Sequence, residues 1–86
     1  MKTINNTEFR VYAKDLENNE LSFCSASSNF TKALATAKNC MKSQMEDSVI
    51  DYNYVIAISE EGLEDEKIII LVSAEGKNIE VKPILF

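Results

Sequence analysis

The chain has 86 residues, with 9 Lys plus Arg against 14 Asp plus Glu, two Cys, three Met and neither His nor Trp. A chain this short hides roughly 60–65% of its unfolded surface on folding, enough for one modest core and too little for a second lobe, so residues 1–86 read as a single domain. An apolar share of 45% and a charged share of 27% exclude disorder and fibrous repeats, the missing His removes the commonest general base and metal ligand, and two glycines do not build a phosphate-cradling loop.

The first extended segment spans about Thr7 to Lys14, where Phe9, Val11 and Ala13 alternate with Arg10, Tyr12 and Lys14 at the two-residue period of a half-buried strand. Asp15 to Glu20 supplies turn residues, and Leu21 to Cys24 resumes the extended pattern, which together predict a β-hairpin. Ser25 to Asn29 breaks the strand and offers helix-capping side chains. Phe30, Ala33, Leu34, Ala37, Met41 and Met45 then recur at three- and four-residue spacing, predicting an amphipathic helix over about Ser28 to Met45. Lys32, Lys38 and Lys42 fall on its wet side, and Ala33 and Ala37 let the helix lie close to a sheet.

Val49 to Ser59 is the longest extended run, with Tyr52, Tyr54, Ile56 and Ile58 on one face and Asp51, Asn53, Val55 and Ala57 on the other. Glu60 to Glu66 reads as a turn, and Lys67 to Val72 is a β-branched run suited to a central strand. Ala74 to Asn78 turns the chain back into Ile79 to Lys82, where Pro83 favours an edge position or the end of the strand. Connections this short give an antiparallel meander. The order β-β-α-β-β-β therefore predicts an α+β fold, a two-layer sandwich with one helix on an antiparallel sheet of about four or five strands. Ile69, Leu71 and Ile84 have parity opposite to Ile68, Ile70 and Val81, so both faces of that sheet are expected to carry apolar groups that a single helix does not cover.

Charge is unevenly placed. Glu46, Asp47, Asp51, Glu60, Glu61, Glu64, Asp65 and Glu66 fall in one stretch without a single Lys or Arg, while the rest of the chain is slightly basic. Either this run is a solvated edge and turn, or it is an acidic docking surface that draws in a basic partner. Tyr52 and Tyr54 join it as core or protein-contact residues, because tyrosine pairs an apolar ring with a polar tip. The acidic balance disfavours direct nucleic-acid binding, which needs a basic stripe. Nucleophilic catalysis at Cys24, Cys40 or Ser25 to Ser28 lacks a base, the paired carboxylates of Glu60 to Glu66 lack a cleft to desolvate one of them, and the EF-hand spacing is absent. The chain reads as non-enzymatic, without metal or cofactor. Cys24 and Cys40 read as free, packed, slowly reacting thiols. No run reaches the length of a signal peptide or membrane helix, and the expected location is the cytoplasm.

The hairpin of Phe9 to Cys24, the Ser-led and Ala-rich helix around Ser28 to Lys38 and the meander of Val49 to Val81, in a short acidic chain, resemble some of the small phage-encoded anti-CRISPR proteins. The resemblance lies in architecture and assigns no functional residue. It implies an inhibitor in the host-cell cytoplasm that occludes a nucleic-acid-binding surface of a CRISPR effector complex. The competing expectation is a structural or regulatory domain that self-associates, as a homodimer, through a sheet edge or the uncovered face.

Overall fold

The computed structural model describes residues 7–60 and 65–84. Five strands and one helix follow in the expected order: β1 Thr7–Asp15, β2 Leu21–Ser27, α1 Phe30–Glu46, β3 Tyr52–Glu60, β4 Lys67–Glu75 and β5 Asn78–Pro83. They build an α+β fold in which the helix lies on one five-stranded sheet of order β2-β1-β3-β4-β5, every neighbouring pair antiparallel. Because β1 sits between them and runs against both, β2 and β3 are mutually parallel. The segment joining them has to cross the sheet, and α1 is that crossover.

The helix starts at Asn29, whose side-chain oxygen accepts from the Lys32 N–H at 3.1 Å. Its buried face is Ala33, Ala37 and Met41, which meet Val11, Ala13, Tyr54, Ile56 and Val72 of the three central strands. Small residues at two of these positions bring the helix backbone close to the sheet, and Met41, fully buried, fills the space beyond them. The Phe9 and Phe30 rings, 5.4 Å apart and edge to face, fix the start of the helix over β1.

The structure departs from the sequence pattern in four places. Ser25 to Ser27 continue β2 instead of ending it, because they pair with Phe9, Arg10 and Val11. Ladder hydrogen bonds there outweigh the capping preference of serine. Val49 to Asp51 lie outside β3, drawn instead into the turn that ends the helix. A register shift also separates the pairs Ile56 with Ile70 and Ala57 with Ile68, so Ile69 is an extra residue and Ile68 and Ile70 face opposite sides of the sheet. A second shift leaves Cys24 unpaired between Phe23 and Ser25. That bulge sits on an edge strand and leaves Cys24 exposed instead of packed, while Cys40 is half-buried.

The face away from the helix is not left bare. Val55 and Ala57 point to it and are 1% and 0% exposed. Their cross-strand neighbours on that face are Tyr12, Arg10, Leu71 and Ile68, and polar groups tie the first two in place. Arg10 Nε donates to Glu8 at 2.7 Å and its Nη1 to Glu66 at 3.0 Å, while the Tyr12 hydroxyl donates to Glu66 at 2.6 Å. Long amphipathic side chains cover the strip that a second helix layer would otherwise cover.

Met41 carries the helix-to-sheet packing, so Met41→Ala should lower the free energy of unfolding by about 2–4 kcal/mol in a urea titration, through lost burial and the cavity left behind. Ala37→Leu, which adds volume where the helix touches the sheet, should also destabilise. An unchanged midpoint in both variants would contradict the close approach described here.

Candidate functional site

Three connections meet at one end of the molecule. Asp15 pairs with Tyr52 and Lys14 with Leu21, so the β1–β2 turn and the start of β3 are neighbours. The helix delivers its last turn to the same place, and the β4–β5 turn, at Gly76 and Lys77, completes the pole. Gly76 takes φ of +60 at the first central position of that two-residue turn, where glycine has no Cβ penalty.

Local chemistry shapes each connection. Asp15 Oδ1 accepts the N–H groups of Glu17 and Asn18 at 2.7 and 3.3 Å, and Asn18 Oδ1 accepts that of Glu20 at 2.9 Å, which leaves the Glu17 and Glu20 side chains free at the tip. The helix ends in a Schellman arrangement: the Ser48 N–H donates to the Met45 carbonyl and the Val49 N–H to the Gln44 carbonyl, both at 3.2 Å. Ser48 holds φ of 59, a left-handed conformation that favours glycine. Gln44 then latches the outgoing chain. Its Oε1 accepts from the Asp51 and Tyr52 N–H groups at 2.9 and 3.0 Å, and its Nε2 donates to the Tyr52 carbonyl at 2.8 Å. The Leu16 N–H donates to the Asp51 carbonyl at 3.0 Å and ties the hairpin turn to this loop.

The result is an acidic and apolar pole. Glu17, Glu20, Glu46, Asp47 and Asp51 are exposed there, with Asp15 half-buried beside them. Leu16, Leu21, Val49 and Ile50, at 48%, 43%, 56% and 39% exposure, are four of the six exposed large apolar side chains among the described residues. Three shallow grooves of about 490, 410 and 270 Å³ all open at this end. The largest has a floor of Met45, Ile50 and Ile79 with Lys42 and Lys77 at its rim, and the smallest runs between Asp15, Glu17 and Asp51.

Folding splits the predicted acidic run. Glu46, Asp47 and Asp51 lie at the pole, whereas Glu60 pairs with Thr7 at the opposite end of β3, roughly 27 Å away along the strand. Asp65 is exposed toward that far end, and Glu66 is half-buried and held by Arg10 and Tyr12, so its charge is paired within the protein. Glu61 and Glu64 lie outside the described residues. Tyr54, 8% exposed, belongs to the core, and Tyr52 is half-buried along the middle groove. The hairpin acids Asp15, Glu17 and Glu20 were missed by the sequence reading, since they stand some thirty positions before the run they join. The signal that finds them is the pairing of β1 with β3.

Among the described residues there is no group of three metal-ligating side chains and no buried side-chain polar atom without a partner. Burial is the main cause that raises the pKa of Tyr12, Tyr54 and Cys40, reinforced at Tyr12 by its bond to Glu66 and opposed there by Arg10. A poised nucleophile requires the reverse shift. No family model, no curated protein and no solved structure matches the chain.

Gln44→Ala should cost about 1–3 kcal/mol by removing three bonds to the β3 entry, whereas Ser48→Gly should stabilise by about 0.5–1 kcal/mol by relieving the left-handed serine. A urea midpoint raised by Gln44→Ala would contradict the latch, and one lowered by Ser48→Gly would contradict the helix cap. Because all three raised groups bind their protons more tightly folded than unfolded, their stabilisation is complete below the ordinary values of 9.0 for Cys40 and 10.0 for Tyr12 and Tyr54. It is lost as pH climbs above them. The urea midpoint should therefore fall above about pH 9, and less steeply in Cys40→Ala.

Proposed function

We propose that this protein is a small, non-enzymatic binding module that docks a protein partner with a basic surface at the pole made by the β1–β2 turn, the α1–β3 connection and the β4–β5 turn. The observation that carries this reading is the coincidence of charge and exposed apolar surface. Most of the exposed large apolar side chains stand among six carboxylates and beside shallow grooves. Scattered apolar residues are ordinary on a protein surface, but a cluster rimmed mainly by carboxylates, with Lys42 and Lys77 at one groove, marks a contact site. Apolar contact supplies lifetime to the complex, and the carboxylates steer a positive surface toward it. Nucleic acid is repelled by the same field.

The finer form of the reading is an inhibitor of phage origin, acting in the host-cell cytoplasm, that covers the nucleic-acid-binding groove of a CRISPR effector complex. Its support is the architectural resemblance together with an acidic pole of the sign that phosphates present to such a groove.

The test uses a purified CRISPR effector complex as probe, with its nucleic acid as competitor. Wild-type protein should bind it, lose affinity with rising salt and compete with nucleic acid. Reversing Glu17, Glu20, Asp47 and Asp51 to Lys should slow association by about ten-fold or more, and Leu16→Ala with Ile50→Ala should speed dissociation. Reversing Glu60 and Asp65, at the far end, should leave binding near wild type. Binding lost only in the far-end variant would remove the pole from the reading, and binding to basic proteins without competition by nucleic acid would remove the inhibitor.

A further inference from the structure

The two edges of the sheet are built differently. β5, at one edge, carries Glu80, Lys82 and Pro83, with Lys82 Nζ 3.7 Å from Glu80. Charged side chains and proline on an edge are the features that stop a strand from pairing with another chain. β2, at the other edge, reads Leu-Ser-Phe-Cys-Ser-Ala-Ser over Leu21–Ser27, with no charge and no proline, in a chain that is 27% charged. Phe23 of this strand is 61% exposed, the most exposed large apolar side chain among the described residues, and it leans on Tyr12 with ring centroids 5.8 Å apart.

We infer that β2 is a self-pairing edge at which a second copy of this chain adds its own β2 in antiparallel register, joining two five-stranded sheets into one of ten strands across a two-fold axis. The occupant follows from three features. A neutral strand lets two copies of an acidic chain approach where their repulsion is weakest. Identical strands running antiparallel are self-complementary, so the contact closes on itself. The guarded β5 edge bars the head-to-tail alternative of β2 on β5, which would run on into a filament. In the pair the Tyr12 and Phe23 rings of both copies form one continuous apolar stripe on the face opposite the helices, so that Phe23 is covered. The bulge at Cys24 divides the pairing segment into Leu21–Phe23 and Ser25–Ser27 and limits its length, which suits an equilibrium dimer better than a permanent one. This inference does not rest on the acidic pole, which the dimer leaves open for the most part, at Glu17, Glu46 and Asp47.

Sedimentation equilibrium on the full chain, from a few micromolar to several hundred, tests it, with amide hydrogen exchange at the two ends of that range. The expected result is a reversible monomer–dimer equilibrium, with Leu21 to Ser27 gaining protection at high concentration and Asn78 to Pro83 unchanged. Phe23→Lys should weaken association by about ten-fold or more by removing the central contact and charging the edge. Ala26→Glu should do the same while suiting the monomer, since Ala26 stands across from Arg10. Circular dichroism checks that both variants keep the fold. A monomer at every concentration overturns the inference, as does a dimer that both variants leave intact or one whose protection appears at β5.

Discussion

Everything in this fold depends on β1 pairing with β3 instead of leaving β2 to do so. The pairing is the longest in the sheet, nine residues on each strand from Thr7 with Glu60 to Asp15 with Tyr52. It puts the first hairpin strand in the centre and pushes β2 to the edge, and it obliges the chain to climb over the sheet between β2 and β3. The helix is the price of that topology, and its buried stripe lands on the strands that the pairing has made central. Val11, Ala13, Tyr54 and Ile56 are core residues for the same reason: they are the helix-side residues of the two strands that meet.

One helix leaves one sheet face without a second layer, and the two faces solve burial by different means. Beneath the helix, alanines and Met41 give close apolar packing. On the other face the same area around Val55 and Ala57 is closed by side chains that lie down along the sheet and are tied at their tips by Arg10, Glu8, Glu66 and Tyr12. Glu8 first and then Glu66 hold the Arg10 guanidinium still more firmly protonated than usual. These ion pairs are partly exposed, and pairs of this kind contribute little in isolation. Their effect here is positional, since they hold aliphatic and aromatic stems over an apolar strip that would otherwise face water.

The pole shows how local strain and long-range charge end up in the same place. Ser48 in a left-handed conformation, the Gln44 latch and the aspartate-led hairpin turn are three separate local devices, each bending the chain sharply. A sharp bend exposes what it carries. Leu16, Val49 and Ile50 sit in such bends, next to acids that stabilise turns and helix ends little by their charge, and one of which, Asp47, follows a helix C-terminus where negative charge is disfavoured. Clustered carboxylates repel one another and lower stability, and the docking function proposed for this end accounts for their presence.

The sequence alone determined the elements. Two-residue alternation from Phe9 to Ala13 and three- and four-residue spacing from Phe30 to Met45 report which side of a strand or helix faces apolar surroundings, and that is a local property of the chain. It also marked the segment Glu46 to Glu66 as acidic. The tertiary structure decided what those acids became. Nine residues of extended chain separate the two ends of β3, so the run divides between opposite poles and Glu66 turns inward to Arg10. The hairpin acids cross to the first group through the β1–β3 register. Strand order was out of reach because β1 and β2 both carry an extended pattern, and only the whole set of pairings places β1 and not β2 beside β3. The bulges at Cys24 and Ile69 were equally hidden: one inserted residue reverses the parity of all that follows, and parity is the only record of facing that a sequence carries.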